Sequence, residues 1–491
     1  MHADESEPTD NGEASEIDET NLSLEVLKGF SAKIIQAILG FAGTIIFARL
    51  LGPTSFGGFY LLHTVVQLSL RPMMGVANAS MKRFSEFGTD RREIVGTQLT
   101  FNFIILGIAV PAAFVLNEPL SNYTGLDGSA ALYTVLFVSV VFFGSFQQLL
   151  PARGLLGVEV WNDTIRSVLT TALQILFVLG GFGAAGMVYG LSAATYLTIP
   201  ITHYYLRILP AVPTRETVQS VWRFARYSIV NRLVGHTYDR LDVLLLGALL
   251  KPAAAGYYEV ALKFTVPATF VSGLAGTGLL NKVSSSSSKG ESASMDITNT
   301  LAYASIISVP LFFGALAIAR PLIVTAYGTE YVEASSLLAG LALFALLRSQ
   351  SAPMESVVNG LDLPDQITRV AAFTLALNVA IGIPLILKFG PIGAVVGTVV
   401  AESIRYLAFA RLVQRETGAT LIPRPLREQI LAGALMYGAV KLTHESILQV
   451  RSWADLLVLL FVGGVVYFAI LTGVSRSFRF TLKHVYEDAR G

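Results

Sequence analysis

Inside its long apolar runs this sequence keeps basic residues that hydrocarbon should exclude. Arg71 is followed at once by Pro72, Arg348 stands deep in LLAGLALFALLRSQSAP, and Lys263 lies about two turns into the run at 254–281. Arg232, His236 and Arg240 recur at i, i+4 and i+8, which puts them on one face of a helix. An ionised side chain within a bilayer span is costly and faces a partner or a watery cavity. Guanidinium forks match phosphate oxygens. Arg71, Arg232, Arg240, Arg348 and Lys263 are therefore the candidate substrate-binding set, forming a cationic cavity for a pyrophosphate or an acidic sugar. The competing reading is internal pairing. Glu259 and Lys263 are an i,i+4 pair, and Asp239 or Asp242 can neutralise Arg240. Lys33, Arg166, Arg369 and Arg405 stand nearer the ends of their runs and are expected to snorkel to the interface. His63 and His203 are expected to pack or hydrogen-bond rather than to relay protons.

The elements that position these residues follow from composition. Of 491 residues, 53% are apolar and 14% charged, against about 25% charged in an ordinary soluble chain, and the mean hydropathy is +0.60. Runs of about twenty apolar residues, each long enough to cross a bilayer as a helix, recur from Phe30 to Thr472. The spans are placed at 28–50, 55–81, 95–116, 131–150, 164–182, 184–206, 224–250, 254–281, 297–319, 334–359, 366–388, 391–411, 428–446 and 453–474. The fold class is an all-α polytopic membrane protein of about 14 transmembrane helices.

Several functions fall away. The polar interruptions after residue 28 are too short for a soluble catalytic domain. A net charge of +1 makes no case for nucleic acid, and zero cysteines exclude disulfides and thiolate chemistry. There is no P-loop Gly-Lys-Ser/Thr, no HExxH and no GxSxG, so neither an enzyme nor a metal or other cofactor is expected. The longest outer loop, NEPLSNYTGLDGSA, is too short to build a glycosyltransferase. It does hold Asn122-Tyr-Thr, a sequon for glycosylation. Residues 1–23, rich in acids and without Lys or Arg, read as a disordered cytoplasmic tail.

Orientation comes from Lys and Arg in short loops. Lys82, Arg83, Arg91 and Arg92, then Arg207, Arg215 and Arg223, then Arg415, Arg424 and Arg427 fall on one side, with the basic tail 476–491. Loop 117–130 has none. Both termini are expected in the cytoplasm and the protein in the cell membrane. Two internal echoes set the larger plan. ARLLGPTSFGGFY at 48–60 matches GALLKPAAAGYYE at 247–259, and FGAAGMVYG at 182–190 matches FGPIGAVVG at 389–397. Similar offsets in one direction imply parallel repeats with the site between lobes: an N-lobe at 24–210, a C-lobe at 211–415, and two extra helices at 416–475. SSSSSKGESAS at 284–294 reads as a flexible linker.

FARLLGPTSFGGFY, DRLDVLLLGALLKPAAAGYYEVALKF (239–264) and NGLDLPDQITRVAAFTLALNVAIGIPLILKFGPIGAVVGTVVAE (359–402) resemble the oligosaccharide and polysaccharide flippases (Wzx-type) of the MOP superfamily. The resemblance runs through nearly all of 24–475. It implies a MATE-like, two-lobed switch that carries a lipid-linked oligosaccharide from the inner to the outer leaflet, on a dolichyl- or polyprenyl-type phosphate or pyrophosphate carrier. The implied partners are that lipid-linked glycan and the membrane lipids, with a coupling ion left open. The alternatives are a transporter of another anion and a MATE-like cation or drug antiporter. Spans one to six hold no mid-membrane carboxylate, which argues against the antiporter.

Overall fold

The structure, a computed structural model, describes residues 13–86, 88–480 and 483, with backbone alone for 13–32 and 231. Those residues form helices and turns with no strand among them. This is the polytopic all-α architecture that the apolar runs dictate. Backbone groups in hydrocarbon must be satisfied internally, and a helix does so within one segment.

Helix α1 (Glu13–Ser85) is nominally 73 residues long, but Gly52 (φ 68°, ψ 170°) breaks it. Its apolar part, Lys33–Ser85, has 53 residues, or about 80 Å of helix at 1.5 Å per residue. That is more than twice the ~30 Å of a bilayer core, so the break falls where the sequence places a turn. The same happens between α6 (Leu156–Phe177) and α7 (Gly183–Leu206), where Gly181 and Gly183 take φ of 91° and 55°. Gly390 repeats the conformation of Gly183, with φ 64° and ψ −143° against φ 55° and ψ −138°. It joins α14 (Pro364–Phe389) to α15 (Pro391–Thr417). These two glycines are the partners in the second sequence echo. A residue with a Cβ rarely adopts such angles.

Among the described residues nine helices are long and apolar enough to cross a membrane, or ten if α9 (Pro252–Lys263) and α10 (Val266–Lys289), bent by 58°, form one span. Helices α8 (Arg215–Leu249) and α16 (Arg424–Ser446) are of span length too but fall outside that set. The others are α2 (Arg91–Val115), the short α3 (Asn117–Thr124) and α5 (Leu149–Ala152), α4 (Ser129–Gln147), α11 (Ser294–Ala304), α12 (Ser308–Tyr327), α13 (Ser335–Gly360) and α17 (Trp453–Val474).

Packing separates two compact units. The first contains residues 1–43, 70–114 and 131–230, the second 44–69, 115–130 and 231–491. In the first unit Val76 and Phe84 of α1, Ile94 of α2, Leu206 of α7 and Val221 of α8 form a buried core. Beside it runs a polar ladder. Ser80 Oγ donates to Gln98 Oε1, Gln98 Nε2 to Asn102 Oδ1 and Asn102 Nδ2 to Ser145 Oγ, each at 2.9 Å. Buried amides and hydroxyls pair because hydrocarbon offers no water. In the second unit Val309 and Ile318 of α12 pack with Met436 of α16 and Tyr467 of α17.

One expectation changes. The serine run is not a linker: α10 continues through Ser288 and ends only at Gly290, a left-handed cap. Val283 is fully buried and Lys282 pairs with Asp296 at 2.7 Å, so packing overrides a composition that suggests disorder. At the N-terminus, residues 1–12 of the expected disordered tail lie outside the described residues, and α1 begins at Glu13, within the remainder. Of the basic tail 476–491, residues 481, 482 and 484–491 lie outside them too.

Candidate functional site

The charged side chains gather around one turn and a half of α8, from Tyr238 to Asp242, inside the second unit. Successive residues on a helix point to different faces, and here each face finds its own partners. Asp239 Oδ1 lies 3.7 Å from Arg348 Nη2 of α13. Arg348 Nη1 lies 3.7 Å from Glu402 Oε2 of α15. Glu402 is fully buried and accepts from Tyr238 Oη at 2.9 Å and from the Ser351 hydroxyl.

On another face Arg240 Nη1 donates to Glu259 Oε1 of α9 at 2.8 Å, and Lys263 Nζ stands 3.9 Å from Glu259 Oε2. Glu259 is also fully buried. The pairing of Lys263 with Glu259 is the i,i+4 contact the spacing allows. Arg240, however, does not use Asp239 or Asp242, because residues one and two apart on a helix do not face each other. Lys263 also sits 5.1 Å from the centroid of the Tyr60 ring.

Asp242, the third acid, is 8% exposed. Thr398 Oγ1 donates to it at 2.7 Å and Tyr258 Oη donates to Oδ2. No Lys or Arg among the described residues forms an ion pair with it.

The five candidates thus divide. Arg240, Lys263 and Arg348 are paired to buried acids in the second unit. Arg232, in the same unit, keeps its Nε buried without a hydrogen-bond partner among the described residues, as does Arg348 at Nη1. Arg71 is half-buried in the first unit and has a partner of its own. Arg405 corrects the snorkelling expectation. It is 4% exposed, donates to Glu355 Oε2 at 2.6 Å and lies over the rings of Tyr238 at 4.8 Å and Phe409 at 5.6 Å. Lys33 and Arg369 are exposed, while Arg166 pairs with Asp163 at 2.7 Å. His63 stacks on Phe59 and His203 packs against Phe146. Asn122 is exposed on α3, but Thr124 of its sequon is fully buried and bonded to Ser129.

Glu355, Glu402 and Tyr238 escaped the sequence reading. Glu402 had a signal: a lone acid in AVVGTVVAESIRYLAF demands a cation nearby. The obvious partner in sequence, Arg405 at i+3, is not the one it takes. Counting the formal charges at this seam, Arg240, Lys263, Arg348 and Arg405 face Asp239, Asp242, Glu259, Glu355 and Glu402. A set expected to be basic is balanced, with one acid to spare.

The profile of the polysaccharide biosynthesis protein family matches residues 46–336. A protein of Haloferax volcanii described as a probable low-salt glycan biosynthesis flippase is 25% identical over 464 residues, 92% of this chain and 95% of its own. Among solved structures, the lipid II flippase MurJ in an inward closed conformation superposes with a TM-score of 0.78 at 15% identity, covering 92% of this chain and 99% of that one. An inward-facing multidrug resistance MATE transporter of the MOP superfamily gives 0.66 at 15% identity, over 80% and 99%. These two likenesses speak for the fold. The profile covers more than half of the chain, which therefore belongs to the polysaccharide biosynthesis protein family, and at that level the resemblance read from the sequence is borne out.

Proposed function

We propose that this protein is a flippase that moves a lipid-linked oligosaccharide across the cell membrane by alternating access, for cell-surface glycan synthesis. The observation that carries the reading, beside the family, is the state of Arg232 and Arg348. Each holds a guanidinium nitrogen buried without a hydrogen-bond partner among the described residues. Such donors are costly unless something accepts from them, and a phosphate or pyrophosphate oxygen is the acceptor that a lipid-linked glycan brings. Arg71, Arg240 and Lys263 complete the proposed substrate-facing set. The ion pairs of Arg240, Lys263 and Arg348 give each base a carboxylate to return to when the anion leaves.

Reading each glycine break as a hairpin, and adding α8 and α16, gives fourteen crossings with both termini in the cytoplasm. The work is transport, and no covalent step is required of any residue. A coupling ion belongs to the proposal, with Asp242 as the buried carboxylate that no described base neutralises. That same residue is what favours the second reading, a cation antiporter. Glycan sidedness separates the two. In right-side-out vesicles, lectin-accessible lipid-linked glycan should depend on the protein and fall in Arg348→Ala and Arg232→Ala variants that still accumulate. Unaltered sidedness together with new sensitivity to cationic dyes overturns the flippase and promotes the antiporter.

A further inference from the structure

The first unit holds a cavity of about 560 Å³. One wall is a single face of α1, where Asn78, Met81, Lys82 and Ser85 recur at i, i+3, i+4 and i+7. The opposite face of that helix carries Val76, Ala79 and Phe84 into the core. Across from Lys82 stands Phe224 of α8, and Pro151 and Ala152 of α5 supply further apolar lining. The wedge has a cause. At Gly75 the two helices meet so closely that a Cβ there would lie 2.8 Å from the Ile229 backbone nitrogen and Cα. One turn further, Asn78 Nδ2 is 3.5 Å from Ser228 Oγ. The cavity lies beyond that crossing, toward Ser85 and Phe224.

Lys82 is the group that gives this space a chemistry. Its natural helical partner is Glu86 at i+4, yet Glu86 is engaged by Arg83, which donates to both carboxylate oxygens at 3.0 and 2.7 Å. No described carboxylate pairs with Lys82, whose Nζ lies 4.4 Å from the Phe224 ring centroid. An ammonium beside an amide and a hydroxyl, walled by Met81, Pro151 and Phe224, is amphipathic in the manner of a charged headgroup on a hydrocarbon chain. Lys82 also belongs to the Lys/Arg-rich loops, where the positive-inside bias sets the cytoplasmic surface.

We propose that this cavity binds a phosphate ester borne on a hydrocarbon chain, with Lys82, Ser85 and Asn78 on its oxygens and Met81 and Phe224 against the first carbons. It rests on the flippase reading only for its role, as a docking place at the membrane surface before the seam is reached. Two sources share the chemistry, a prenyl phosphate carrier and an anionic glycerophospholipid.

The test is binding to the full chain purified in detergent, with farnesyl phosphate, farnesol, short-chain phosphatidylglycerol and inorganic phosphate as probes. Farnesyl phosphate should bind more tightly than farnesol. Lys82→Met should weaken it about tenfold or more, the scale of one charge-assisted hydrogen bond. Lys82→Arg should restore most of the affinity, and farnesol should ignore both changes. Tighter binding of phosphatidylglycerol than of farnesyl phosphate assigns the site to a membrane phospholipid, and the reverse to the carrier. Equal affinity for farnesyl phosphate and farnesol, or unchanged affinity in Lys82→Met, overturns the site. Inorganic phosphate binding as tightly as its farnesyl ester overturns the apolar wall. The assay needs no translocation, so a failed sidedness assay would sink the flippase and leave this site standing.

Discussion

Gly57 and Gly256 hold each other's helices together. A Cβ on Gly57 would overlap the carbonyl oxygen of Pro252, and one on Gly256 would overlap the carbonyl oxygen of Pro53. The two glycines are equivalent positions of the first sequence echo, as are the two prolines. Each proline stands four residues before the glycine of its own copy. The contact is thus reciprocal within the second unit. Small residues that let backbones approach are a main source of helix association in lipid.

Gly57→Ala and Gly256→Ala should each destabilise the protein by about 1–3 kcal/mol, the ordinary cost of overpacking. The double variant should cost little more than either single one, since both side chains wedge open the same crossing. Thermal unfolding midpoints in detergent measure this. Strict additivity would show that the two glycines serve separate contacts.

The Lys/Arg asymmetry predicts that residues 82–94 face the cytoplasm and 117–130 the outside. Single cysteines report it, since the chain has none. Asp90 and Asp127 are exposed and suit the purpose. The neighbouring Gly88 and Gly125 do not, because both adopt positive φ. In intact cells Asp127→Cys should react with an impermeant maleimide and Asp90→Cys should not. The opposite pattern inverts the topology.

At the seam, Glu402→Leu should destabilise by about 3–5 kcal/mol, because it strips a buried acid from Arg348 and leaves Tyr238 and Ser351 without their acceptor. Adding Arg348→Met should recover much of that loss. Apolar replacement of a whole buried pair is often neutral, whereas breaking it is not. Recovery of stability without recovery of export is the expected result, and it separates folding from transport. A double variant no more stable than Glu402→Leu would show that Asp239 alone holds Arg348.

Asp242→Asn keeps the shape and one acceptor oxygen for the hydroxyls of Thr398 and Tyr258, replaces the other oxygen by an amide donor, and removes the charge. Its midpoint of unfolding should stay near that of the parent. Glycan export in vesicles should lose its dependence on an imposed ion gradient. Export that follows the gradient as before would remove Asp242 from coupling.

What could be read from the sequence was whatever depends on local geometry. Gly52, Gly183 and Gly390 advertise turns because only glycine tolerates their backbone angles, and apolar length marks the spans without reference to any neighbour. Arg240 and Glu402 were not legible in the same way. Their partners come from other helices, Glu259 of the next helix for Arg240 and Arg348 of α13 for Glu402, so neighbouring acids at 239 and 242, or a base at 405, point to the wrong pair. The serines at 284–288 failed for a related reason. Their helix is held by Val283 and by the ion pair of Lys282 with Asp296, neither of which composition displays.

One of the borders between the two compact units crosses α1 at Ser69 and Leu70, within a continuous helix rather than a loop. A joint in such a place is mechanically awkward, since flexing a helix in hydrocarbon strips backbone groups that no solvent can rescue. Pro72 relieves the difficulty beforehand. Its ring nitrogen carries no proton, so the rung it would have made to Leu68 never exists. An articulation there would break a ladder already missing its step, and Arg71, immediately before it, would swing with the joint.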